Sequence, residues 1–126
     1  MSGNKKILII DDEQDVVSYF SEFFTDNGFE TINAKNGKEG FDKALTDSPA
    51  IITLDITMPE ESGVRAFKDL QENEKTKNIP VIIVTGISKD FKNFISSRKH
   101  LNPPIAYFEK PVNMHQLLLK INEILK

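Results

Sequence analysis

Four short apolar runs in this chain lead to residues that phosphoryl chemistry can use. Ile7 to Ile10 runs into Asp11 and Asp12, Ile51 to Leu54 into Asp55, Val81 to Val84 into Thr85, and Ile105 to Phe108 toward Lys110. Three carboxylates brought together repel one another, so a site built from them demands compensating positive charge. A divalent hard cation and the Lys110 ammonium together cancel three formal negative charges. Mg²⁺ suits such a set, because it takes one or two carboxylates, keeps several waters and leaves room for a phosphate oxygen. Asp12 and Asp55 are the best direct ligands, and Asp11 is placed to hold a metal-bound water. If Asp55 attacked phosphorus, the acyl phosphate would add negative charge. The cation and Lys110 would offset it, and Thr85 could donate a hydroxyl hydrogen bond to a phosphoryl oxygen.

Only a shared scaffold edge brings these positions together, since the first and last lie near opposite ends of the chain. In an open parallel sheet the carboxyl ends of the strands share one edge, and ligands bind in the crevice there. Short apolar runs alternate with segments of helical period along the whole chain, the pattern of an α/β fold with a parallel sheet. Lys6 to Ile10 is followed by Val16, Val17, Phe20, Phe23 and Phe24, one stripe of a helix ending near Asn27-Gly28. Phe29 to Ala34 alternates, which predicts a strand less covered than its neighbours, most simply an edge. Next come a helix carrying Phe41, Ala44 and Leu45, a strand Ala50 to Leu54, a helix carrying Val64, Phe67 and Leu70, and a strand Val81 to Thr85 after Pro80. A fourth helix is expected around Phe91, Phe94 and Ile95. A fifth, running to the C-terminus, carries Met114, Leu117, Leu118, Ile121, Ile124 and Leu125. Continuous apolar runs at the first, third and fourth strands imply helices over both faces. The expectation is a three-layer, flavodoxin-like doubly wound sandwich, with a five-stranded parallel sheet in the order 2-1-3-4-5 and five helices. Strands one and three, which carry the acids, flank its switch point.

At 126 residues the chain is expected to form a single domain over residues 1–126. A formal charge of -3 argues against a nucleic-acid grip by the domain itself. No apolar stretch has the length of a bilayer-crossing helix, and residues 1–6 lack a signal-peptide core. A cytoplasmic location without membrane insertion is the expectation. Zero cysteines exclude a thiolate metal site and a Cys nucleophile. The phenylalanines fall mostly on helix stripes and read as core. His100 and His115 lack partners at metal-ligand spacing and read as solvated, and Arg98-Lys99-His100 with Lys89 and Lys92 reads as a wet helix face.

Taken in order, ILIIDDE, LDITMPEESG, VIIVTG and YFEKP resemble the motifs of the response-regulator receiver domain of two-component signalling. The likeness covers essentially the whole chain. It implies that Asp55 accepts a phosphoryl group, with Mg²⁺ as cofactor, from a sensor histidine kinase or a histidine-phosphotransfer protein. It implies Asp12, Asp55 and the backbone carbonyl of Thr57 as metal ligands, with Asp11 acting through water. Lys110 becomes the phosphoryl-pairing ammonium, Thr85 the switch hydroxyl and Tyr107 the switch aromatic. A cis peptide between Lys110 and Pro111 is also implied, which only X-Pro bonds adopt cheaply. The implied role is a switch and not an enzyme with a separate substrate. Phosphorylation would change the face formed by the fourth helix, fifth strand and fifth helix, and so control an output protein or domain. That face could also serve a homodimer.

Other readings share parts of this pattern. A Mg²⁺-dependent phosphohydrolase with an aspartate nucleophile would set its nucleophile and general acid two residues apart, whereas Asp11 and Asp12 are adjacent. A flavodoxin-like cofactor binder needs a Gly-rich or Ser/Thr-rich phosphate cradle, and the first turn here is acidic. Alone, Asp11 and Asp12 could be helix caps. Asp55 resists such a reading, since it follows Ile-Ile-Thr-Leu where a structural residue is seldom charged. The receiver-domain resemblance also implies that Ile87 stands beside the phosphoryl site, where a branched apolar residue predicts a longer-lived phosphoryl group than a polar one. Asn102-Pro103-Pro104 stiffens the approach to the fifth strand.

Overall fold

The computed structural model describes residues 5–59, 62–86 and 104–126, with Thr85 as backbone only. The apolar runs become β1 (Lys6–Ile10), β2 (Glu30–Ala34), β3 (Ile51–Leu54), β4 (Val81–Thr85) and β5 (Ala106–Glu109). They form one sheet in the order β2-β1-β3-β4-β5, and every neighbouring pair is parallel. The helical stripes become α1 (Gln14–Asp26), α2 (Gly37–Asp47), α3 (Ser62–Glu72) and α4 (Met114–Ile124). This is the flavodoxin-like order expected from the alternating second strand, which does lie at the edge. The helix expected around Phe91, Phe94 and Ile95 lies outside the described residues. So do Ile87, Asn102-Pro103 and the Arg98-Lys99-His100 cluster with Lys89 and Lys92.

Parallel strands must bury both faces, and their period of two sends alternate side chains to opposite sides. Ile7 and Ile9 of β1 join Ile51, Ile82 and Val84 beneath Val17, Phe20 and Phe24 of α1 and Leu117 and Ile121 of α4. Leu8 and Ile10 join Ile52, Leu54 and Ile83 beneath Ala44 of α2 and Ala66, Phe67 and Leu70 of α3. Gly28, at φ +93°, turns the chain from α1 into β2.

Several boundaries differ from the sequence reading: β2 begins at Glu30 and not Phe29, and β3 at Ile51 and not Ala50. The last helix stops at Ile124, with Leu125 as its cap, whose amide donates to the Ile121 carbonyl at 2.9 Å. Ile105 lies just before β5 and is 55% exposed, although its amide still donates to the Val81 carbonyl.

Candidate functional site: a carboxylate cluster at the carboxyl edge

Ladder hydrogen bonding continues one residue beyond β1 and β3. The Asp11 amide donates to the Ala34 carbonyl at 3.0 Å, and the Asp55 amide to the Ile10 carbonyl at 3.0 Å. Both carboxylates therefore rise from backbone held as firmly as the sheet. Asp11 and Asp55 are 4% and 2% exposed, whereas Asp12 faces solvent. One oxygen from each of the three lies within 4.8 Å of the others.

Lys110 arrives from the far side of the sheet, one residue past β5. Its Nζ donates to Asp11 Oδ2 at 3.0 Å, to Glu13 Oε1 at 3.2 Å and to Asp55 Oδ2 at 3.3 Å. An ammonium has three hydrogens, so each is committed to a carboxylate. Burial alone would lower the Lys110 pKa. The hydrogen bond to Asp11, the charges of Asp11 and Asp55 and the bond to Glu13 outweigh burial and hold it well above the usual lysine range. Asp11 is pushed above the usual carboxylate range by burial, with Asp55 adding repulsion. The Glu13 amide and Lys110 offset only part of this. The pocket is short of positive charge even with its lysine in place.

The two oxygens of each buried acid have separate partners. Asp11 Oδ1 accepts from the Glu13 amide at 2.9 Å, so one oxygen shapes the turn into α1 while the other faces Lys110. Asp55 Oδ1 accepts from the Thr57 amide at 2.9 Å and the Thr57 hydroxyl at 2.6 Å, leaving Oδ2 to Lys110. Sequence reasoning missed the roles of the Glu13 carboxylate and the Thr57 hydroxyl. The available signals were the third acid in ILIIDDE and a Thr two residues after an Asp, a spacing that suits a local side-chain turn.

The other named residues fall as follows. Thr85 ends β4, its backbone paired with Glu109 of β5, and its hydroxyl lies outside the described atoms. Tyr107, opposite Ile83 on β5, is partly buried against the core under α2 and α3. The Lys110-Pro111 peptide is cis. His115 is exposed, with its ring edge-on to Phe23 at 5.8 Å, and the acid cluster contains no histidine among the described residues. An all-oxygen donor set of closely spaced carboxylates fits a hard divalent cation of the Mg²⁺ kind, not a soft or imidazole-preferring metal.

A parallel α/β sandwich with buried acids and a lysine at its carboxyl edge defines a receiver-like fold and site. The chain belongs to the response regulator receiver domain family, whose model matches residues 7–122. It is 30% identical over 121 residues to the polar-differentiation response regulator DivK of Brucella anthropi, with 96% of each chain covered. It is 27% identical over 123 residues to the alkaline phosphatase synthesis transcriptional regulatory protein PhoP of Bacillus subtilis, covering 98% of this chain and 49% of PhoP. The chain thus spans about half of one relative and nearly all of the other. The crystal structure of a CheY-like response regulator receiver domain protein from Methanospirillum hungatei superposes with a TM-score of 0.84. It is 27% identical, with 98% of this chain and 94% of that one covered. Among the described residues, no helix is long and apolar enough to cross a membrane.

Proposed function

We propose that Asp55 is the phosphoacceptor of a two-component relay, taking its phosphoryl group from a sensor histidine kinase or a histidine-phosphotransfer protein. The observation that carries this reading is the single Lys110 ammonium bonded to both Asp11 and Asp55, acids from two different strand ends. A carboxylate oxygen of Asp55 bonds to phosphorus as the phosphorus–nitrogen bond to the donor histidine breaks. The departing imidazole keeps the electron pair. Lys110, which faced the Asp55 charge, turns to the phosphoryl oxygens. Asp12 and Asp55, with the Thr57 carbonyl and with Asp11 through water, would hold Mg²⁺, which supplies charge neutralisation at the phosphoryl group.

Thr85 donates its hydroxyl to the phosphoryl group, and Tyr107 follows to alter the surface around β5 and the helices flanking it. The output is a partner protein or domain that reads that surface, and a homodimer could form through it. The chain acts as a single cytoplasmic domain. It catalyses its own phosphorylation and dephosphorylation but turns over no separate substrate. The test is incubation with Mg²⁺ and a small acyl phosphate donor, followed by intact-mass measurement. One added phosphoryl group that requires Mg²⁺ is expected. Sustained turnover of an ordinary phosphomonoester would instead favour an aspartate-nucleophile phosphohydrolase.

A further inference from the structure

Lys110 has a partner that the phosphoryl chemistry above leaves unused. Glu13 Oε1 accepts from its ammonium at 3.2 Å, alongside Asp11 and Asp55. Glu13 stands at the N-cap of α1, yet its side chain makes no capping bond, and it is the Glu13 backbone amide that holds Asp11. The carboxylate is therefore free of any duty in starting the helix. Its side chain is 63% exposed, against 4% for Asp11 and 2% for Asp55, so this arm of the ion cluster exchanges readily with water.

We propose that Glu13 is a positioning residue for Lys110, favouring cation binding at the acid cluster while retarding phosphoryl transfer to Asp55. This rests on the phosphoacceptor reading of Asp55. In the resting protein Glu13 occupies one of the three Lys110 hydrogens. That loosens the lysine's hold on Asp11 and Asp55 and leaves both more open to a divalent cation, while Glu13 adds its own negative charge nearby. During transfer the demand reverses. Negative charge grows on the phosphoryl oxygens, and Lys110 must present a hydrogen to them. Asp11 retains its claim on the ammonium, and until the new bond neutralises the Asp55 charge the exposed Glu13 bond is the first to give up, so that the released carboxylate repels the incoming group.

The test compares wild type with Glu13→Ala and Glu13→Gln in two assays. Calorimetric titration of the metal-free protein with Mg²⁺ alone gives the affinity. Intact-mass kinetics with a small acyl phosphate at saturating Mg²⁺ gives the phosphorylation rate constant. Exposed ion pairs are weak, so shifts of about two- to fivefold are expected. The Mg²⁺ dissociation constant should rise while the rate constant at saturation also rises. Ala should exceed Gln, because Gln still accepts a hydrogen bond from Lys110. A structural defect at the start of α1 would instead weaken binding and slow the reaction together. Either constant unchanged, or that parallel loss, overturns the proposal while leaving the role of Asp55 intact. A wild-type protein that takes up no phosphoryl group overturns the underlying reading as well.

Discussion

The two helical layers enclose the same sheet with different materials. Beneath α1 and α4 the filling is aromatic: Phe24 meets Phe20 at 5.9 Å and Phe29 at 6.3 Å, each edge-on at 74°. Beneath α2 and α3, Phe67 and aliphatic side chains share the space with small residues, Ala34, Ala44 and Ala66 being buried and glycines standing where backbone comes close. A Cβ at Gly40 would stand 2.4 Å from Ile10 Cδ1, and one at Gly63 would stand 2.3 Å from the Asp55 carbonyl oxygen. These contacts lie directly under the residues that carry or precede the acids. The aromatic layer supplies bulk burial, whereas the small residues under α2 and α3 fix the height and direction of the backbone at Asp55.

That contrast breaks most visibly at Phe24. Phe24→Ala removes a fully buried ring and should cost about 3–5 kcal/mol in denaturant unfolding. The phosphorylation rate of the folded fraction should be unchanged. Gly63→Ala should do the reverse in proportion. Overpacking costs about 1–3 kcal/mol, yet phosphorylation should slow beyond what the lost folded fraction explains, because the new methyl displaces the Asp55 backbone. Equal rates in the two variants at matched folded fraction would erase the distinction between the layers. Thr57→Val deletes one donor to Asp55 Oδ1 while the amide remains, and should cost about 1 kcal/mol in the same unfolding assay.

The smallest effect lies in the pH dependence of metal-free unfolding midpoints. Glu39 sits below its usual pKa, mainly because its carboxylate accepts the Lys35 amide, with Lys43 assisting. Its contribution is therefore full above the unfolded value near 4.5 and is lost as pH falls through the lower folded value. Asp11 has the opposite sign, since its raised pKa gives stability that is present below about 3.8 and lost as pH rises through the folded value. Glu39→Gln should thus flatten the acid limb. Asp11→Asn should make the metal-free protein more stable than wild type at neutral pH, with the gap closing as pH falls.

Periodicity carried the fold into the sequence. β1 shows this best, because a continuous apolar run buried on both faces leaves no doubt about the helices covering it. β2 shows it through alternation that only an edge tolerates. The acids and lysine were legible too, since strand ends of a parallel sheet converge whatever their separation along the chain. The side-chain partnerships were not. Whether Glu13 turns to Lys110 or to solvent depends on rotamers in a turn, where no period constrains direction. The Thr57 hydroxyl on Asp55 is of the same kind. The contact of Gly63 with the Asp55 carbonyl depends on how closely α3 approaches β3, which is a tertiary distance that a lone glycine does not encode.

The central claim is that separate strand ends form one phosphoryl-accepting site centred on Asp55. Intact-mass measurement of wild type and Asp55→Asn, incubated side by side with Mg²⁺ and a small acyl phosphate donor, tests it most directly. Wild type should gain one phosphoryl group and the variant none. A phosphoryl group that appears on Asp55→Asn to the same extent would contradict it.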